Sequence, residues 1–111
     1  MTSTVIITTR AGSRGARQRL LALIARGEPI TGVFFYSEAV EAAAIEDECH
    51  AWRALARRHN VPLILCSASA ARRGVVPVEG GAAPAGFQTA GIGRFADLAH
   101  DADTILVAEA P

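Results

Sequence analysis

The chain has 111 residues, of which 50% are hydrophobic, and its 11 basic and 11 acidic residues give a formal net charge of +0. This length predicts a single domain over residues 1–111, and the balanced charge disfavours a nucleic-acid or anionic-membrane surface. Two cysteines match neither a disulfide framework nor a zinc site, and with no secretory signal or membrane-length apolar run we expect a cytoplasmic protein without metal or cofactor.

The first third of the chain alternates strand and helix patterns. Thr4–Thr8 (TVIIT) is a short β-branched run that predicts a buried strand, and residues 12–15 form a glycine-containing turn. Ala16–Arg26 then repeats apolar residues at helical spacing. Ile30–Tyr36 (ITGVFFY) is a second continuous apolar run, and it predicts a second buried strand.

The middle of the chain predicts the longest helix and a third strand. Glu41–His59 carries an apolar stripe at helical spacing, and Cys49 lies on that stripe, so we expect Cys49 to pack in the core. Asn60 suits the C-terminal cap of this helix. Val61–Cys66 (VPLILC) predicts a strand with Pro62 at its start, where a missing N–H donor does least harm.

The last third of the chain predicts two short helices and a final strand. Ser67–Arg73 reads as a short helix that stops at Gly74, and Val75–Gly86 as a surface loop rich in Pro, Gly and Ala. Phe95–Asp101 predicts another helix and Thr104–Ala108 a final strand. Continuous apolar strands separated by helices predict an α/β fold, with a doubly wound, mostly parallel sheet and helices on both faces.

Cys66 is the residue whose position best fits a chemical role. It ends a predicted strand and precedes a predicted helix, and ligands gather at the carboxyl ends of parallel strands. Backbone N–H groups at a helix start stabilise an anion such as a thiolate or persulfide, and Ser67 and Ser69 offer further hydrogen-bond donors. The alternative is that Cys66 is a small apolar residue closing a buried strand.

Three charged residues and one turn are secondary candidates. Arg72 and Arg73 end the helix after Cys66, where they either complement the helix dipole or form a positive rim for an anionic donor or partner. Glu38 follows the second strand, near Cys66 across the sheet, where it either orients a partner, manages a proton or forms a salt bridge. The turn at residues 12–15, flanked by arginines, is a weak candidate for anion or nucleotide binding.

Several stretches resemble the DsrE/TusD sulfur-relay family. Phe34–Val40 (FFYSEAV) is similar to the family's FFYxEGV stretch, although Ala39 stands where the family has glycine. Leu65–Val75 is similar to the family's cysteine-containing segment that ends in RRGV. Further likeness lies in Trp52 and Leu55 of an AWxxL helix, and in Phe87, Ala90–Gly93 and Leu98 near the C-terminus.

The resemblance implies a function that the spacing alone does not show. The cysteine at position 66 would accept sulfur as a persulfide and pass it to a partner thiol, as a sulfurtransferase does. The family works in hetero-oligomers of related small subunits, often hexamers, and hands sulfur to a downstream acceptor protein for tRNA thiolation or sulfur oxidation. A homo-oligomer, or a non-catalytic assembly or regulatory subunit on the same fold, is the alternative.

Overall fold

Five parallel strands form the centre of the molecule. The computed structural model describes the backbone of residues 4–8, 14–102 and 104–108, and the side chains of residues 15–102. The strands are β1 (Thr4–Thr8), β2 (Ile30–Phe35), β3 (Leu63–Cys66), β4 (Gln88–Ala90) and β5 (Thr104–Ala108), and they lie side by side in the order β4-β3-β2-β1-β5. Every neighbouring pair is parallel, which confirms the predicted fold class.

Four α-helices and one 3₁₀ helix connect the strands. The helices are α1 (Arg14–Ala25), the 3₁₀ helix (Ser37–Ala43), α2 (Glu46–His59), α3 (Ser67–Arg72) and α4 (Ile92–Asp101). Parallel strands are joined by right-handed crossovers. The chain steps in one direction from β1 to β4, so α1, α2 and α3 share one face, and its return to β5 places α4 on the other face. None of the helices in the described ranges has the length and hydrophobicity that a bilayer crossing requires.

The predicted long helix is two helices. The 3₁₀ helix ends near Ala44, and Ile45 is extended, with φ −90° and ψ 118°, before α2 begins. Three acidic residues in the first turn of α2 and three basic residues in its last turn complement the helix dipole. Asn60 caps α2 in the left-handed conformation, as predicted.

The sequence pattern did not reveal β4. Its three residues, Gln88, Thr89 and Ala90, form no apolar run, and they are ordered by pairing with β3. Thr89 also donates a hydrogen bond from its hydroxyl to the Gly81 carbonyl at 3.3 Å, which ties the strand to the preceding loop. This edge strand lies beside Cys66, so it forms part of the site described below.

The side chains of the central strands divide between two hydrophobic clusters. Alternate residues of a strand point to opposite faces. On one face, Phe35 and Leu65 pack with Leu20 of α1 and Trp52 of α2, all four fully buried. On the other face, Phe34, Ile64 and Cys66 pack against partly buried residues, namely Ala90 of β4 and Phe95 and Leu98 of α4.

Candidate functional site

Cys66 is both the last residue of β3 and the N-cap of α3. Its backbone is still extended, with φ −62° and ψ 118°, and Ser67 begins the helix directly after it. The chain therefore turns from strand to helix at the cysteine, as the sequence pattern predicted. Cys66 stands at the carboxyl edge of the sheet, where parallel sheets present reactive groups.

The Cys66 side chain is buried beneath α4. Only 3% of the residue is exposed, and it packs in the cluster with Phe34 and Ile64. Phe95 of α4 lies over this cluster, with its ring centroid 5.1 Å from that of Phe34. Phe95 and Leu98 of α4 therefore cover the cluster that contains the thiol.

Exposed apolar residues flank Cys66 at the same edge of the sheet. Ala90 pairs with Cys66 in the β3–β4 register, and Ile92 follows two residues later with 55% of its surface exposed. On the other side, Tyr36 directly follows the end of β2 and is 38% exposed. Tyr36 and Ile92 thus give the cysteine edge an apolar rim on both sides.

The two serines after Cys66 are buried, and one of them fixes the neighbouring strand end. The Ser69 hydroxyl oxygen accepts a hydrogen bond from the Ser37 backbone N–H at 3.0 Å. Ser37 has a φ of 56°, a left-handed conformation that is strained for a residue other than glycine. Ser69 is fully buried and Ser67 is 8% exposed. This bond links the turn after β2 to the helix after β3, so Ser69 orders the edge on which Cys66 lies.

The charged candidates occupy different positions around this edge. Arg73 pairs with Glu41 of the 3₁₀ helix, with Nη1 2.6 Å from Oε2, so part of the predicted positive rim is neutralised. Arg72 is the last residue of α3 and is exposed. Glu38 is exposed in the first turn of the 3₁₀ helix, two residues beyond Tyr36. The pairing partner Glu41 was not foreseen, because 32 residues separate it from Arg73.

The arginine-flanked turn at residues 12–15 lies largely outside the described residues. Arg17, just beyond it, forms an ion pair with Glu48 of α2, and its guanidinium stands 5.7 Å from the centre of the Trp52 ring. The Trp52 indole N–H has no hydrogen-bond partner among the described residues. Arg17 is therefore engaged in tying α1 to α2.

The second cysteine and the potential metal ligands among the described residues do not come together in one site. Cys49 is a partly buried residue of α2 that packs against the core cluster, consistent with its place on the apolar stripe. Within residues 15–102, no three His, Cys, Asp or Glu side chains gather in a group that suits a metal ion. Cys66 is thus the thiol that combines a strand end, a helix start and an apolar rim.

Comparison with known proteins assigns the chain to a family. The model of the DsrE/DsrF-like family matches residues 1–108. The chain belongs to the DsrE/DsrF-like family. Relatives over most of its length are the sulfurtransferase TusD homologs of Vibrio vulnificus strain YJ016, 35% identical over 86% of this chain and 87% of that protein, and of Pasteurella multocida, 37% identical over 82% and 83%.

A solved structure supports the same fold. The YchN protein of Escherichia coli superimposes with a TM-score of 0.68 over 96% of this chain and 99% of its own. At 18% sequence identity, this likeness concerns the fold alone. The resemblance to the DsrE/TusD family, stated on Phe34–Val40 and Leu65–Val75, is confirmed by the family model and the relatives.

Proposed function

We propose that this protein is a sulfur-relay sulfurtransferase subunit that carries sulfane sulfur as a persulfide on Cys66. The observation that carries the proposal is the position of Cys66 at the carboxyl end of β3 and the start of α3, in a chain whose relatives are named sulfurtransferases. Cys49 lacks both features, since it lies within α2 on the core side.

The proposed transfer consists of two exchanges at sulfur. The Cys66 thiolate attacks the outer sulfur of a donor persulfide, so the donor S–S bond breaks, a Cys66 S–S bond forms and the donor leaves as a thiolate. An acceptor thiolate then attacks the same outer sulfur and releases the Cys66 thiolate. No external oxidant or reductant is consumed, because each S–S bond that breaks is replaced by another.

Burial of Cys66 sets a condition on this chemistry. A thiol that is 3% exposed does not meet a second protein's sulfur unless its cover moves. The cover is α4, whose ten residues are all described and of which none is buried. We propose that a donor or acceptor binds the apolar rim of Tyr36 and Ile92 and displaces α4 enough to reach the sulfur.

The apolar rim and the face of the sheet that α4 covers favour assembly with other subunits. Apolar surface beside a reactive residue is typical of interaction sites, and the residues at this edge include Tyr36 and Ile92, 38% and 55% exposed. We propose that the protein works in the cytoplasm in an oligomer with related small subunits and passes sulfur to a downstream acceptor. That acceptor serves tRNA thiolation or sulfur oxidation. Ser67, Arg72 and Glu38 are proposed to support partner binding or the thiolate.

One alternative has an observation in its favour. If Cys66 stays buried at 3% exposure in the working assembly, the chain acts as a non-catalytic assembly or regulatory subunit. The other alternative, anion or nucleotide binding at the turn of residues 12–15, is weakened because Arg17 is engaged by Glu48.

Transfer of labelled sulfur tests the proposal against these alternatives. The wild-type protein, Cys66→Ser and Cys49→Ala are each incubated with a ³⁵S-labelled persulfide donor and then with an acceptor thiol. We expect Cys66→Ser to lose transfer while remaining folded by circular dichroism, and Cys49→Ala to retain it. Transfer by Cys66→Ser at the wild-type rate would reject the mechanism and favour the assembly role.

A further inference from the structure

A cavity of about 390 Å³ lies at the opposite end of the strands from Cys66. Its walls come from the second half of α2, from the start of β3 at Leu63 and from the start of β4 at Gln88. The volume falls within the range of roughly 300–1,000 Å³ that small-molecule sites occupy. Because it is at the amino ends of β3 and β4, the cavity is separate from the cysteine edge.

The polar residues that line the cavity are either positively charged or neutral. Arg53 and Arg57, one turn apart on α2, line it together with Asn60, the C-cap residue of that helix. Gln88 lines it as the first residue of the edge strand β4, but its side chain lies on the α4 face of the sheet, because it pairs with Ile64. No carboxylate is among the described residues that line it, and neither arginine forms an ion pair within residues 15–102. A smaller hollow beside it shares both arginines and adds His50. The site therefore offers an anion two arginines that have no ion-pair partner among the described side chains.

Arg53 is held in place by the backbone of Gly86. A Cβ atom built on Gly86 would lie 2.8 Å from Arg53 Cγ and 3.2 Å from Cδ, so the arginine stem packs directly on the glycine. Gly86 also has a φ of 88°, which disfavours any side chain there. Both constraints require glycine at this position. The contact limits the freedom of the Arg53 side chain.

The rest of the cavity is apolar. Val61, Pro62 and Leu63 line it, and exposed Pro62 supplies most of their accessible apolar surface, since only 6% of Val61 and 2% of Leu63 is exposed. Arginine forks match the oxygen geometry of phosphate, and an apolar wall suits an uncharged, planar body. We propose that this cavity, named here the Arg53–Arg57 cavity, binds a small phosphorylated compound, with the two guanidinium groups on its phosphate and the apolar wall against its body.

An NMR titration tests this proposal with signals that the chain supplies. The sequence has one asparagine, Asn60, which lines the cavity, and two glutamines, of which Gln18 lies on the exposed surface of α1 and serves as the reference. The ¹⁵N-labelled full-length protein is titrated with AMP, and separately with inorganic phosphate, pyrophosphate and adenosine. We expect AMP to shift the side-chain amide signals of Asn60 in a saturable manner, while those of Gln18 stay in place.

Matched arginine variants identify the groups that hold the phosphate. Arg53→Gln and Arg57→Gln are each expected to weaken AMP binding about tenfold or more, the loss typical of a charge-assisted hydrogen bond. Arg58→Gln is the control, because Arg58 lies on the same helix but outside the cavity and carries the same charge. It is expected to leave the affinity within about twofold of wild type, since an exposed charge that does not contact the ligand is largely screened. Adenosine, which lacks the phosphate, is expected to bind more weakly than AMP.

Three results would overturn the proposal. The first is an absence of shifts at Asn60 with all three phosphate probes at millimolar concentration. The second is an equal loss of affinity in Arg58→Gln, which would indicate a general charge effect, and the third is equal binding of adenosine and AMP. The site is distinct from the sulfur chemistry, so these outcomes leave the proposed role of Cys66 unaffected.

Discussion

The two faces of the sheet differ in how many helices cover them and in how deeply their side chains are buried. One face is covered by α1, α2, α3 and the 3₁₀ helix, and its cluster includes Trp52, Phe35 and Leu20, all without exposed surface. The other face is covered by α4 alone among the described helices, and all its packing partners outside the strands are only partly buried. The first of these, here the deep face, supplies most of the core. The second, here the thin face, carries Cys66 beneath α4, the helix that we propose a partner displaces.

Loss of the Trp52 side chain has the largest expected effect on stability. Trp52 is fully buried, packs edge-on against Phe35 at 4.9 Å between ring centroids, and lies beneath the Arg17 guanidinium. Trp52→Ala is expected to lower the free energy of unfolding by about 3–5 kcal/mol, measured by urea denaturation. Trp52→Phe, which keeps an aromatic ring and removes the unpartnered indole N–H, is the milder control. A loss below about 1 kcal/mol in Trp52→Ala would show that the deep face is not the main core.

Removal of the Ser69 hydroxyl has the next largest expected effect. Ser69→Ala leaves the Ser37 backbone N–H without its acceptor in a partly buried turn, and such a loss costs about 1–3 kcal/mol. Ser67→Ala removes a neighbouring buried hydroxyl and leaves this bond intact, so a smaller loss is expected. Urea denaturation of both variants makes the comparison. Equal stability of Ser69→Ala and wild type would mean that the bond does not order the cysteine edge.

Truncation of Phe95 compares the two faces by the accessibility of Cys66 rather than by the stability of the protein. Phe95 is partly exposed, so Phe95→Ala is expected to cost only about 1–2 kcal/mol, but it opens the cover over Cys66. The rate of Cys66 alkylation in the native protein, with Cys49→Ala as background, is expected to rise several-fold. Leu23→Ala, a partly buried residue on the deep face, is the control for general loosening. If both variants raise the alkylation rate equally, α4 does not specifically control access to Cys66.

The Arg73–Glu41 ion pair has the smallest expected effect. Its side chains are 36% and 37% exposed, and exposed pairs contribute about 0.2–1 kcal/mol. A double-mutant cycle with Arg73→Gln and Glu41→Gln is expected to give a coupling in this range that declines with added salt. A coupling above about 2 kcal/mol would mean that the pair contributes more to the free energy of unfolding than exposed ion pairs do.

The sequence was a good guide where local pattern decides structure. The apolar β-branched runs at Thr4–Thr8 and Thr104–Ala108 coincide with β1 and β5. Asn60 and Gly74 have the left-handed conformations expected where α2 and α3 end. The strand-to-helix turn at Cys66 was also predictable, because an apolar run ends there and a short helical segment follows.

The features that sequence reasoning missed depend on contacts between distant segments. β4 has no pattern of its own and forms by pairing with β3. The bonds of Ser69 to Ser37 and of Arg73 to Glu41 each span 32 residues. The burial of Cys66 depends on α4, which follows it by more than twenty residues in the chain and packs on the face to which the cysteine points.

The most direct test of the central claim is the site of sulfur loading. The wild-type protein is incubated with a persulfide donor, and intact mass and peptide mapping are recorded with and without reductant. We predict one added sulfur atom on the peptide that contains Cys66, removed by reductant, with Cys49 unmodified. Added sulfur confined to Cys49, or no added sulfur even when Phe95→Ala has opened the cover, would contradict the account.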